Sequence, residues 1–235
     1  MTAPLWVTEL ADEFWAAAGG PEPFPRRLRG PAGRAFVFTV VDRPGLSVRG
    51  VLGWLRRAGV ACDLGVRDRP LRACLVAAGG AGFAFIDADD AEDERRFSFA
   101  HELAHFLRDY RQPRRAVERR LGPDVLEVFD GHRPPRADER LHGLLRSVRV
   151  GYHAHLMARA AGVTTAAVAA AERAADRLAY ELLAPAAVVL ADGKDGLERR
   201  LAEVYGLPIE QARQYAVLLA PPAPPTEPLL LRLQG

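Results

Sequence analysis

The residues whose types and spacing indicate chemistry lie at positions 101–105, where the chain reads His-Glu-Leu-Ala-His. The pattern from 93 to 110 predicts a helix, and a spacing of four then places His101 and His105 on one helix face, one turn apart. Two imidazoles so arranged can bind one Zn²⁺, and Glu102 can act as the general base toward a metal-bound water. The alternative is a core or surface helix that contains two histidines for structural reasons.

A catalytic zinc site needs a third protein ligand and leaves its fourth position to water. The alanine-rich helix predicted from Thr165, which Pro185 ends, carries Glu172 and Asp176 in its apolar stripe. Burial of a carboxylate is costly unless it is paired or bound to a metal, so Glu172 is predicted to ligate the zinc. Asp176, one turn on, is predicted to accept a hydrogen bond from a ligand imidazole. Pairing of either carboxylate with a buried arginine is the alternative.

Two segments resemble the signatures of the ImmA/IrrE metallopeptidases. Residues 95–107 are similar to that family's arginine–phenylalanine approach to an A-H-E-x-x-H helix. Residues 172–185 are similar to its second signature, E-x-x-A-N-x-F-A-x-x-L-L-M-P. The extended stretch 82–87, shortly before the H-E-x-x-H helix, resembles the family's strand at that place. The resemblance covers roughly 48–110 and 165–219, and the two signatures carry most of its weight.

The resemblance implies that Glu172 is the third zinc ligand, in agreement with the helix pattern. It also implies a regulatory zinc endopeptidase whose substrate is a protein such as a helix-turn-helix transcriptional repressor, with a role in stress response or mobile-element genes. Asp176, Leu178 and Ala184 stand where the family often has asparagine, phenylalanine and methionine. A larger departure is the extra chain at 111–164, which lies between the halves of the site and puts substrate preference in doubt.

The predicted fold is α+β: a zincin-like metallopeptidase core with a small, mostly antiparallel sheet beside the H-E-x-x-H helix, and a helical C-terminal part. In the predicted mechanism, Zn²⁺ is held by His101, His105 and Glu172. Glu102 deprotonates the bound water, which attacks a peptide carbonyl, and then passes the proton to the leaving amine. The donor to the oxyanion stays unassigned among Tyr110, Tyr152, Tyr180 and the histidines of the insertion.

The elements that must position these residues divide the chain into five segments. A helix and strand extension spans 1–47, the zincin-like half with the H-E-x-x-H helix spans 48–110, and an insertion spans 111–164. The third-ligand helix and a helical subdomain follow at 165–220, before a proline-rich tail at 221–235. The extension begins with an amphipathic helix, continues through an irregular proline-rich stretch and ends in a strand.

Three extended segments are predicted at 59–66, 72–77 and 82–87. The first two flank an Asp-Arg-Pro turn and are predicted to form a hairpin, whose simplest register brings Cys62 near Cys74. Two cysteines are too few for a disulfide framework, so reduced thiols are expected, with a cross-strand disulfide as the alternative.

Three further patterns have a functional and a plain interpretation. His153 and His155 could form a second metal site on an extended strand, although ordinary surface or cleft histidines are the simpler interpretation. The arginine pairs at 114–115 and 119–120 form a patch that we interpret as a solvated helix face. The short helices at 197–219 could suggest a DNA-reading helix-turn-helix, but their glutamates dilute the positive charge.

Composition restricts the classes of function. With 235 residues, 49% hydrophobic and 26% charged, the chain can form one large domain with a core, which excludes global disorder. A formal net charge of +2 gives little attraction for nucleic acid, so we expect no direct nucleic-acid binding. The N-terminus lacks the pattern of a signal peptide and no apolar run could span a bilayer. A cytoplasmic protein without membrane contact is therefore expected.

The sequence leaves two rivals to the peptidase. One is a zinc-binding regulatory module that sequesters a repressor without proteolysis. The other is a DNA-binding regulator in which the metal is structural.

Overall fold

The computed structural model describes residues 3–136, 151–159 and 165–221. The described part of the chain forms a mixed α+β fold, as the sequence predicts. In chain order its elements are α1 (Leu5–Ala18), α2 (Arg29–Ala35), β1 (Phe38–Arg43), α3 (Val48–Arg57), β2 (Leu71–Ala78), β3 (Ala81–Asp87), α4 (Glu92–His105), a π-helix (Phe106–Arg111), α5 (Gln112–Leu121), a 3₁₀ turn (Pro123–Val125), α6 (Leu126–Phe129), β4 (His153–Ala158), α7 (Ala166–Leu183), α8 (Ala186–Ala191), α9 (Leu197–Glu203) and α10 (Ile209–Leu219).

The four strands form one sheet in the order β1-β3-β2-β4. β2 pairs antiparallel with both β3 and β4, whereas β1 pairs parallel with β3. The sheet is therefore mostly antiparallel, as predicted. β4 lies at the edge next to the central strand β2, which matters for the site because β4 carries His155 opposite Leu75.

Both faces of the sheet are covered, so successive side chains of β2 belong to two different hydrophobic clusters. Ala73 and Leu75 join the large cluster that includes residues of α4 and α7. Cys74 and Val76 join the smaller cluster that includes residues of α3. Ser47 directly precedes α3 and caps it, because its hydroxyl accepts a hydrogen bond from a backbone N–H in the first turn.

The predicted hairpin between 59–66 and 72–77 is wrong. β2 already pairs with β3 on one edge and β4 on the other, so it has no edge left for a third partner. The upstream segment instead turns at Gly59 and Gly65, which have φ values of +73° and +63°. Cys62 and Cys74 do not form a disulfide, and burial raises the pKa of the Cys74 thiol well above its usual range.

The N-terminal extension contributes directly to the main core. Part of its proline-rich stretch, predicted to be irregular, forms the helix α2, in which Pro31 and Ala32 are buried. The buried guanidinium of Arg26 lies over the rings of Trp15 and Phe24 and donates to the carbonyl of Leu182 at 2.8 Å. The extension thereby holds the C-terminal end of α7. Within the described ranges, no helix combines the length and apolar character needed to cross a membrane.

Gly82 is required where β1 approaches β3. The two strands pair at Phe38 and Gly82, and a β-carbon at position 82 would collide with the Phe38 ring and lie 3.1 Å from the Phe106 ring. We therefore expect Gly82→Ala to lower the free energy of unfolding by about 1–3 kcal/mol through overpacking. Denaturant unfolding measures this change.

The matched control is Gly53→Ala in the middle of α3. A β-carbon there would have only the Arg57 guanidinium nearby, at 3.7 Å. Alanine is the better helix former, so this variant should be unchanged or more stable by up to about 1 kcal/mol. Equal stabilities for the two variants would contradict the assigned packing at Gly82.

Candidate metal centre

The H-E-x-x-H residues are enclosed because α4 is covered by the sheet on one side and by α7 on another. His101, Glu102 and His105 are 3%, 0% and 2% exposed. α4 starts with Glu92, Asp93 and Glu94, and negative charge in a first turn favours the helix through its dipole. The helix thus carries ionisable groups into an interior in which each of them needs a partner.

The atoms of the three predicted ligands lie together. The Nε2 atoms of His101 and His105 are 3.1 Å apart. Glu172 Oε2 lies 3.2 Å from the Nε2 of His101, and Glu172 Oε1 lies 3.7 Å from the Nε2 of His105. In a tetrahedral zinc site with bonds of about 2.0–2.2 Å, neighbouring ligand atoms are about 3.3–3.6 Å apart. The cluster therefore has the spacing and the donor types to hold a metal ion.

A carboxylate fixes each ligand imidazole from behind. The Nδ1 of His101 donates to Asp176 at 2.8 Å, and the Nδ1 of His105 donates to Asp109 at 2.7 Å. Both rings therefore turn Nε2 toward the shared point, which is the usual way a metal-binding histidine is oriented. Asp176 lies where the helix pattern places it. Sequence reasoning missed Asp109, although its position one turn after His105 was the available signal.

Arg108 connects the two halves of the site. It lies in the π-helix that follows His105 and donates to both oxygens of Asp109 at 2.6 and 2.7 Å. It also donates to the carbonyl of Ala171, one residue before Glu172, at 2.7 Å. Arg108 thus ties the H-E-x-x-H segment to α7. In the described ranges neither Glu172 nor Asp176 has an arginine partner; their side chains contact histidines instead.

Glu102, the predicted general base, is buried beside the predicted ligands. Its carboxylate is fully buried, and Oε2 accepts a hydrogen bond from the Nδ1 of His155 at 2.9 Å. Its other oxygen, Oε1, is buried and has no hydrogen-bond partner within the part of the chain that is described. A buried carboxylate oxygen without a partner is costly, and a water held by a neighbouring metal would satisfy it. This atom supports the fit of the cluster to a catalytic metal.

His155 lies beside the predicted ligands, whereas the sequence named it only among the candidate oxyanion donors and as part of a second metal site. It lies on β4, its Nε2 is 3.1 Å from Glu172 Oε1, and its ring stacks on that of His105 with centroids 3.8 Å apart. The available signal was the alternation of His153 and His155 on a strand, which we interpreted as ordinary histidines or a second metal site. His153 lies near His105 and Asp109 in a second group of potential metal ligands. His142 falls outside the described residues.

The tyrosines proposed as oxyanion donors are engaged elsewhere. Tyr110 contacts the backbone N–H of Gly80 at 2.7 Å, and the hydroxyl of Tyr152 donates to the carbonyl of Asp63. Tyr180 stacks on another tyrosine ring, with centroids 4.4 Å apart. Among the histidine candidates, His155 contacts the predicted ligands Glu172 and His105.

The carboxylates and imidazoles of the cluster shift one another's pKa values. Burial alone would raise the pKa of Glu172, but three histidines outweigh it and hold that pKa well below its usual range. Burial alone would lower the pKa of His155, but Glu102 and Glu172 raise it to about 10. The pKa of His101 is also raised, because Asp176 and Glu172 outweigh its burial. Glu172 is therefore ionised at neutral pH, as a metal ligand must be.

The fold has the architecture of a zincin-like peptidase domain. It combines a four-stranded sheet, the H-E-x-x-H helix packed beside that sheet, and a glutamate supplied by a following helix. Residues 67–124 match the family model described as Peptidase_M78: IrrE N-terminal-like domain. The match confirms the resemblance to ImmA/IrrE metallopeptidases over a segment that contains the H-E-x-x-H helix. Comparison of the chain with curated proteins and with solved structures gave no match. The family match and the metal cluster together support a metallopeptidase.

The predicted ligand set is tested by zinc content. The purified protein should bind one zinc, and Glu172→Ala should no longer retain it through dialysis because the site loses its anionic ligand. Elemental analysis measures the stoichiometry. Glu203→Ala removes an exposed glutamate from α9 and serves as the control with unchanged zinc. Full retention of zinc by Glu172→Ala would refute the ligand assignment.

The orientation of His101 gives a finer test. Asp176→Ala should weaken zinc binding about 10–100-fold, because the Nδ1 of the ligand loses its acceptor. Competition with a chromophoric chelator measures the affinity. Asp176→Asn keeps an acceptor oxygen of the same reach, so its affinity should stay close to that of the unmodified protein. Equal losses in both variants would show that the hydrogen bond to His101 is not what Asp176 contributes.

Proposed function

We propose that this protein is a zinc-dependent endopeptidase with a regulatory role, and that its substrate is a protein such as a helix-turn-helix transcriptional repressor. One observation carries the enzymatic part of the proposal. The buried, unpartnered Oε1 of Glu102 lies on the residue directly after His101, beside the cluster of potential metal ligands formed by His101, His105, His155 and Glu172. A structural metal site would have no use for such an oxygen, whereas a peptidase needs it as the proton acceptor.

The residues divide the work of peptide hydrolysis. His101, His105 and Glu172 would hold the metal, which supplies a Lewis acid and a water that ionises near neutral pH when bound. Glu102 would act as the proton acceptor through Oε1 and as the proton donor to the leaving amine. Asp176 and Asp109 keep the ligand imidazoles in the required orientation.

The position of β4 supports an extended peptide as substrate. β4 pairs with β2 on one side, and in the described ranges no strand pairs with its other side. Every residue of β4 is partly exposed. A sheet edge of this kind can bind an extended peptide through backbone hydrogen bonds, which recognises the main chain and leaves side chains to select the sequence. The edge adjoins the cluster through His155.

The identity of the substrate rests on the resemblance to ImmA/IrrE metallopeptidases. Cleavage of a repressor would link this protein to transcription regulation and stress response, and a cytoplasmic location would bring it together with such a substrate. The C-terminal helices give little support to the DNA-binding rival. Arg213 of α10 is paired with Glu198 at 3.5 Å and with Glu210 at 3.0 Å, which removes much of its attraction for phosphate.

Glu102→Gln tests the enzymatic part. The amide cannot accept the proton, so cleavage of the helix-turn-helix repressor used as substrate should fall by at least about 10²–10⁴-fold. Zinc content should stay unchanged because the ligands remain. Gel electrophoresis of the purified repressor with each variant measures cleavage.

Glu203→Gln makes the same chemical change at an exposed position and should cleave normally. If Glu102→Gln relieves repression as fully as the unmodified protein does, sequestration without proteolysis is the correct function. Binding of the purified protein to the operator DNA at physiological salt would instead favour the DNA-binding regulator.

A further inference from the structure

His155 joins two carboxylates that belong to different helices. Its Nδ1 lies 2.9 Å from Oε2 of Glu102 on α4, and its Nε2 lies 3.1 Å from Oε1 of Glu172 on α7. Its side chain is 13% exposed, and it approaches both helices from the edge strand β4. We propose that His155 is a positioning residue. It fixes the carboxylate of the general base, Glu102, and that of the third metal ligand, Glu172, relative to each other. The inference deepens the proposed peptidase function and rests on it.

The two contacts of His155 select which oxygen of each carboxylate is used. Because Glu102 Oε2 is bound to His155, Oε1 is the oxygen left to take a proton. Because Glu172 Oε1 is bound to His155, Oε2 is the oxygen left facing His101, 3.2 Å from its Nε2. One imidazole thus fixes two carboxylates that would otherwise rotate about their terminal bonds. Such preorganisation is what a catalytic base needs.

The ring geometry argues against His155 as a fourth metal ligand. The rings of His105 and His155 stack at 3.8 Å with a tilt of only 21°. A ligand imidazole keeps the metal close to its own plane, and two planes so nearly parallel do not meet within the length of a metal–nitrogen bond. A fourth protein ligand would also fill the position that a catalytic zinc leaves to water.

β4 is anchored so that His155 keeps its place. The strand pairs with β2 through Leu75 and His155, and a slip of one residue would turn the imidazole to the other face of the sheet. After the strand, Arg159 donates to Asp87 at the end of β3 at 2.5 Å and to Asp90 at 2.8 Å. Asp87 and Asp90 precede α4 closely in the chain. The strand is therefore fixed relative to the helix whose glutamate it contacts.

Three substitutions at position 155 separate the two contacts. His155→Ala removes both donors, and we expect zinc affinity and kcat at saturating zinc each to fall about 10–100-fold, with KM little changed. The amide nitrogen of asparagine is nearest to Nδ1, so His155→Asn should recover much of kcat but not zinc affinity. The amide nitrogen of glutamine is nearest to Nε2, so His155→Gln should recover zinc affinity but not kcat. The opposite recoveries are a pattern that a merely structural role would not produce.

His132→Ala removes an exposed histidine that pairs with Glu127 and is not among the potential metal ligands of the described residues, so it should leave both quantities unchanged. The melting temperature of each metal-free variant checks that the fold is retained. Unchanged zinc affinity and kcat in His155→Ala would overturn the inference. Complete loss of zinc from His155→Ala, the result expected for Glu172→Ala, would also overturn it, because His155 would then be a metal ligand. The inference would fail as well if His155→Asn and His155→Gln both behaved as His155→Ala does.

Chelator competition with zinc needs no substrate, so it decides the contact with Glu172 even if the protein cleaves nothing. A zinc affinity that His155→Gln restores and His155→Asn does not would support that contact. Absence of cleavage by the unmodified protein would then contradict the proposed function alone.

Discussion

The structure depends on the packing of α4 against α7, because that contact buries ionisable side chains which neither helix could hold alone. His101, Glu102 and His105 come from one helix, and Glu172 and Asp176 from the other. Removing these groups from water is costly, and the cost is offset only when each finds a hydrogen-bonding or metal partner. The site thus stabilises the interface on which it depends, through imidazole–carboxylate pairs that leave the metal-facing atoms together.

This dependence explains why the rest of the fold is arranged around two helices. The sheet supports α4 from behind, and α1 with the N-terminal extension packs on α7, where Arg26 binds the carbonyl of Leu182. Arg108 and the π-helix join the two helices directly beside the cluster. Irregular helical hydrogen bonding is often found at functional sites, and here it accompanies the placement of Asp109 against His105. The supports meet at the cluster from several separate segments of the chain.

Local periodicity was enough to predict the residues of the site that lie on α4 and α7. The spacing of His101 and His105, and the two carboxylates in the apolar stripe of α7, follow from helix geometry alone. His155 could not be found in this way, because its position depends on which edge of β2 receives β4, a long-range pairing that local pattern does not encode. The predicted hairpin was wrong for the same reason. The stretch 111–164, predicted to be an insertion, contributes β4 and so reaches into the site. The five-segment division itself stays a prediction.

The central claim is that α4 and α7 together form one zinc site. A crystal structure of the zinc-loaded protein, with anomalous diffraction recorded at the zinc edge, tests it directly. We predict one strong peak about 2.0–2.2 Å from the Nε2 atoms of His101 and His105 and from a carboxylate oxygen of Glu172, with His155 beyond bonding distance. A peak bound elsewhere, or no peak between these three residues in zinc-loaded crystals, would contradict the account.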